Sequence, residues 1–220
     1  MTNIVVHRRM MATRVCDFLP PKGPSAMYEI GAGPPVKAEW RHIQSRYPKM
    51  DLFGCEPHPP TFKKVFSHFG GELHPVAIHS TLRTTSVRSF SGLEKFGSHT
   101  ILPGAGNRLE VIDNIPCWTL DEFDDRAGNP ASILLWIDNE GSELDTLKSG
   151  PKLLNSGRVI CINLEVRDES NVPGWPTARE LAVYLKTIGY RHVHDYNNQK
   201  THRDAIYVPQ GSAYQRRGRS

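Results

Sequence analysis

The sequence predicts an α/β fold, a doubly wound and mostly parallel sheet with an antiparallel edge strand. Three observations predict it. Continuous apolar runs such as ILLWI (133–137) and VICINL (159–164) have the length of strands buried on both faces. Helical segments separate these runs, and a helix between strands is the crossover that parallel pairing requires. The chain then closes in two β-rich runs, RHVHDY and DAIYVP, around the polar turn YNNQK, which reads as an antiparallel pair at one edge.

Each element follows in order. MTNIVVHRRMMATRVCDF has arginines and no acid before Asp17, as a transit peptide would. It lacks the serines of such peptides, so a helix capping the domain is the expectation. MYEI (27–30) is the first strand, GAGPP its glycine turn, and VKAEWRHIQSRYP a helix with Pro35 near its start, where a missing N–H costs nothing. MDLFGCE is the second strand and PPTFKKVFSHFGG a helix closed by glycines. ELHPVAIH (72–79) reads as a third strand. Residues 81–112, rich in Ser, Thr and Gly, read as an irregular excursion with a short strand pair, a length that is often functional. RLEVIDNIPCWTL then returns to the sheet. ILLWID is a buried strand, SELDTLKSGPKLLNSG helical, and RVICINLEV another buried strand. PTARELAVYLKTIGY places Leu181, Leu185 and Ile188 on one helical face. The organisation expected is an N-terminal extension or capping segment (1–26), a domain (27–210) with the 81–112 insertion, and a basic tail (211–220).

Bulk properties exclude some classes. At 220 residues, with 38% hydrophobic and 23% charged, this is an ordinary globular composition. No run approaches the roughly 20 apolar residues that cross a bilayer. The net charge of +4 resides at the end: Lys200, Arg203, Arg216, Arg217 and Arg219 face Asp204 alone from residue 196 onward, and the first 195 residues balance. A solvated terminus accounts for this, and phosphate contact is the alternative. Cys16, Cys55, Cys117 and Cys161 are far apart with no CxxC pair, which points to free thiols and a reduced, cytoplasmic setting.

Open α/β sheets bind ligands at the carboxyl ends of their strands, where strand order reverses. YEIGAG puts Gly31 and Gly33 at one such end, with Glu29 before them. LFGCEP puts Glu56 at the next, 25 residues after Gly31 and near the spacing of a ribose-holding acid. LLWIDNEG puts Asp138 and Glu140 two residues apart at a third, before Gly141, and NLEV puts Glu165 at a fourth. Ser142 and Asp145 resemble a capping box for the helix that follows. The turn G-A-G-P-P-V has Val36 where a dinucleotide fold places its third glycine, and Glu29 disfavours a phosphate. A ribose-bearing cationic ligand without phosphate suits both features.

YEIGAG, CEP, WTLDEF, IDNEGSELDTLKSG and NLEV occur in the order of the FkbM-type class I methyltransferases, which the chain resembles over roughly residues 27–167. The most specific part is I-D-x-E-G-x-E-x-x-x-L-x-x-G, Ile137 to Gly150. Gly33 stands where the family has asparagine and Cys55 where it has phenylalanine, and Pro34 and Pro35 stiffen the loop. No carboxylate is lost. The resemblance implies a Rossmann-like fold that uses S-adenosylmethionine. Glu29, Gly31, Ala32 and Gly33 would line its methionine part, Glu56 with Pro57 its ribose, and Asp138 its sulfonium end, with Glu140 beside the acceptor. Asp138, Glu140 and Glu165 are the catalytic candidates, with no base singled out.

The acceptor implied is a hydroxyl on a small molecule or sugar. The alternatives are a nucleic-acid methyltransferase, supported only by the tail and by Arg83, Arg88 and Lys95, and a non-catalytic nucleotide-binding module. Glu140 and Glu165 could instead pair with Arg167 or Arg158 and brace the sheet. No metal site is assigned: the three acids could take Mg²⁺ but are too few to define one. His192, His194, Asp195 and His202 could bind a transition metal, but as residues of an edge hairpin with a polar turn they need none. Trp175 in VPGWP could stack on a sugar or base or serve as an apolar plug. Neither the acceptor nor the oligomeric state is legible.

Overall fold

The computed structural model describes residues 11–33, 39–90, 99–102, 108–168, 174–197 and 202–212. Most of the basic tail, the 34–38 turn and the YNNQK turn after Asn197 lie outside them. The elements run α1 (residues 11–16), β1 (Ala26–Ile30), α2 (Glu39–Arg46), β2 (Asp51–Cys55), α3 (Pro59–Phe66) and β3 (Glu72–His74). β4 (Ala77–Ile78), β5 (Thr84–Phe90), β6 (His99–Thr100), β7 (Arg108–Trp118) and α4 (Leu120–Arg126) follow. β8 (Ile133–Ile137), α5 (Glu143–Lys148), α6 (Pro151–Asn155), β9 (Val159–Arg167), α7 (Ala178–Thr187), β10 (Tyr190–Asn197) and β11 (His202–Pro209) complete the chain.

Seven strands form the main sheet in the order β10-β11-β9-β8-β1-β2-β3. β1 lies near its middle, parallel to β2 on one side and β8 on the other, and all five of its residues are buried. The edge hairpin is antiparallel, and its inner strand β11 runs against both β9 and β10. Each face of the sheet has its own core because successive strand residues point to opposite sides. Tyr28, Ile30, Leu135 and Ile162 face α4 to α7, where Leu181 and Leu185 of α7 are fully buried. Met27, Leu134, Trp136 and Cys161 face α1, α2 and α3, with Val15, Trp40 and Val65 packed on them. A fully buried Leu or Val contributes about 1.5–3 kcal/mol, so these helices are held by their apolar faces.

Two expectations need correction. The run ELHPVAIH is not one strand, because Pro75 separates β3 of the main sheet from β4, which pairs with β7. Nor does RLEVIDNIPCW return to the main sheet. It forms β7, the backbone of a second sheet ordered β4-β7-β5-β6, with β5 antiparallel to both neighbours. The described residues of the excursion thus belong to a small sheet over its own core of Ala77, Val87, Ile101 and Ile115.

Candidate active site

Backbone hydrogen bonds draw three strand ends together. Asp138 N–H donates to Ile30 C=O (2.9 Å), while Gly31 and Ala32 N–H both donate to Cys55 C=O (3.1 and 2.9 Å). Gly31 has φ +86°, and a Cβ there would lie 2.1 Å from the Asp138 carbonyl oxygen. A side chain would force β1 and β8 apart at this point.

A cavity opens beside these ends. Gly31, Glu56, Pro57, Asp138 and Glu140 line it from the main sheet, and Ile78, Val87, Thr100 and Ile101 from the second sheet. Glu56 is 4% exposed and its Oε1 accepts the His58 N–H (2.8 Å), which fixes the carboxylate at the wall. Cys55 also lines the cavity, and burial pushes its thiol up to about 12, so it stays protonated near neutral pH. No lysine or arginine lines the cavity among the described residues.

The catalytic candidates come together. Asp138, Glu140 and Glu165 each offer a carboxylate oxygen within 4.8 Å of the other two. Asp138 and Glu140 reach this point from a turn whose backbone is left-handed at Glu140 (φ +54°) and Gly141 (φ +106°). Arg167 stands against them, its Nη2 at 3.6 Å from Glu140 and 3.9 Å from Glu165, with its guanidinium 4.2 Å over the Trp175 ring. Such a set of hard oxygens suits a divalent cation in chemistry. The bracing role considered for arginine therefore falls to Arg167 at these acids. Arg158 instead pairs with Asp124.

Other expected residues fall elsewhere. Glu29 is 3% exposed at the end of β1 and is not among the described residues that line this cavity. Ala32 is buried and Gly33 half-buried beyond the lining residues. The capping box at Ser142 does not form: its hydroxyl donates to Asn139 C=O (3.2 Å), whereas Thr119–Glu122 and Thr177–Glu180 make full capping boxes. Trp175 is 9% exposed and packs against Arg167 and Gly141, which makes it the plug rather than an open stacking surface. At the hairpin, His192 is bonded to Asp195 (2.8 Å) and His194 stacks on Phe18.

Sequence reasoning passed over two buried acids. Asp124 accepts from the Tyr28 hydroxyl (2.7 Å) and from both ends of the Arg158 guanidinium, tying α4 to β1 and β9. Glu143 opens α5 with its side chain wholly buried. The motif spacing flagged Glu143, but nothing local showed it turned inward.

A parallel sheet with one reversed strand beside its edge, and acids at the ends of its central strands, defines the class I methyltransferase fold. Residues 30–192 match the methyltransferase FkbM domain. The chain belongs to the FkbM methyltransferase family. Among solved structures it is similar to the methyltransferase FkbM from Methylobacillus flagellatus KT, at 15% identity and a TM-score of 0.50. That match covers 84% of this chain and 43% of the other, so this chain spans less than half of that protein. It is also similar to magnesium protoporphyrin IX methyltransferase from Synechocystis PCC 6803, solved with SAM bound, at 6% identity and a TM-score of 0.50, covering 94% and 79%. No curated protein matches the chain in sequence.

Proposed function

We infer that this methyltransferase uses S-adenosylmethionine and methylates a hydroxyl on a small molecule or sugar. The observation that carries the reading is the placement of Glu56 and Asp138 on either side of Gly31 in one cavity. The lining fits such a cofactor. Glu56 presents acceptor oxygens suited to ribose hydroxyls, and Gly31 and Pro57 continue that wall. The absence of lysine and arginine from the described lining suits a ligand without phosphate, and Asp138 suits a cationic one. Glu29, Ala32 and Gly33, at the end of β1 and in the turn after it, would line the methionine part of the cofactor.

When bound, S-adenosylmethionine supplies a methyl group already activated on a sulfonium. The chain's own task is to hold the acceptor in line and to take its proton. Alignment of this kind is worth roughly 7–11 kcal/mol. A carboxylate within hydrogen-bond reach of the hydroxyl adds about 10²–10⁴-fold. Asp138, Glu140 and Glu165 are the candidates for that base, with Arg167 compensating their charge. Val87 and Ile101 of the second sheet would form the apolar side of the acceptor pocket.

The test is a thermal melt with S-adenosylmethionine, S-adenosylhomocysteine and NAD in parallel, repeated on Glu56→Ala. At about a hundred times its dissociation constant a ligand adds about 2.7 kcal/mol, a rise of roughly 5–10 °C for a chain of this size. The adenosyl ligands are expected to raise the melt, NAD to leave it unchanged, and Glu56→Ala to remove most of the rise. A flat response to both adenosyl ligands would sink the reading.

A further inference from the structure

Glu143, in the Ile137–Gly150 motif, has no part in the reading above. It is 1% exposed at the first turn of α5. Its Oε1 accepts the Gly141 N–H (3.0 Å), its Oε2 is buried with no hydrogen bond, and no cation pairs with it among the described residues. Burying a carboxyl without a counter-charge is costly, and a surface position on α5 would avoid that cost. The turn it grips is itself under strain. A left-handed backbone at a glutamate is uncommon and costs of order 1–3 kcal/mol, so the surroundings must enforce it. Outside the turn, the Asp138 carbonyl abuts Gly31, and a Cβ on Gly141 would lie 2.8 Å from both Leu102 and Trp175. From within, Glu143 supplies the bond at the turn's centre.

We propose that Glu143 is a positioning residue, whose buried carboxyl holds the Gly141 N–H so that the Glu140 turn presents Asp138 and Glu140 to the cavity. The functional half of this proposal rests on the methyltransferase reading. The charged groups facing Glu143 are Asp138 and Glu140. Burial above all, with a smaller push from these two carboxylates, raises it to about 8 against the opposing pull of the Gly141 N–H and its own backbone N–H, so it stays protonated near neutral pH and adds no further negative charge to the acid cluster.

The experiment compares wild type, Glu143→Gln and Glu143→Ala. Glutamine keeps an oxygen for the Gly141 N–H and does not titrate; alanine removes the acceptor. Two readouts are taken: hydrogen exchange and the proton shift of the Gly141 amide between pH 6 and 9, and S-adenosylhomocysteine affinity by calorimetry. The expected result is a protected Gly141 amide whose shift titrates in wild type, with protection kept but a flat shift in Glu143→Gln. Glu143→Ala should lose about tenfold or more in protection and in affinity, and Glu143→Gln should keep wild-type affinity. If Glu143→Ala does not fold, the wild-type and Glu143→Gln profiles decide the matter. A folded alanine variant with wild-type protection and affinity would overturn the proposal, as would a glutamine variant without Gly141 protection. If wild type shows the Gly141 signature but does not bind S-adenosylhomocysteine, the cofactor reading falls while the turn-holding role stands.

Discussion

Single residues set the geometry at the strand ends. Gly31→Ala must fit a methyl against the Asp138 carbonyl and hold an alanine at φ +86°. It is expected to lose at least about 1–3 kcal/mol in urea unfolding and to weaken adenosyl-ligand binding. Glu143 makes a prediction about pH. Its proton is held more tightly in the folded chain than in the unfolded one, so its contribution to stability is intact below the usual glutamate range and lost as pH rises toward about 8. The slope is on the order of 1 kcal/mol per pH unit at most. Glu143→Gln removes this slope, so its melting temperature relative to wild type should climb from pH 5 to pH 8 and then level off. A constant difference across that range would show that Glu143 is ionised in the fold. The strand-end acids were legible because a carboxylate after a buried apolar run has few structural reasons to be there. Glu143 and Asp124 were not, because an acid in a helix ordinarily faces solvent, and only tertiary packing turned these two inward.

Elements follow their local signals where those signals are self-contained. Thr177 and Thr119 cap α7 and α4 through reciprocal bonds with Glu180 and Glu122. Replacing either threonine with alanine is expected to cost about 1 kcal/mol in chemical denaturation. Ser142 has the same spacing to Asp145, but its backbone (φ −104°, ψ 19°) does not aim the hydroxyl at the helix amides. Spacing alone therefore cannot tell a capping box from a look-alike. The strands ILLWI and VICINLEV were readable from their apolar runs. What could not be read was which sheet a strand joins. β7 alternates like any half-buried strand, and its partners β4 and β5 are chosen by the kink at Pro75 and by the small core under Val87 and Ile115. The cavity wall from that second sheet was anticipated as a region, residues 81–112, but not residue by residue.

For the molecule as a whole, doubly wound topology follows from alternating strands and helices, and the cleft follows from β1 pairing with β2 on one side and β8 on the other. The second pairing joins distant parts of the chain. Ser25 and Ser132, 107 residues apart, close its entrance by exchanging hydrogen bonds through side chains and backbone, including Ser25 Oγ to Ser132 C=O (2.8 Å) and Ser132 N–H to Ser25 Oγ (2.8 Å). Long-range parallel pairing is slow because a large loop must close before any contact forms. In pulse-labelled exchange during refolding, amides of the β10–β11 hairpin are expected to gain protection before those of β1. The same separation matters while the protein is being made. At about 5–20 residues per second, the ribosome needs roughly 5–20 s to extend the chain from β1 to β8. Through that interval Met27, Tyr28 and Ile30 have only half of their final surroundings. On the nascent chain, then, the apolar flank of β1 that β8 will cover stays without its partner until β8 emerges.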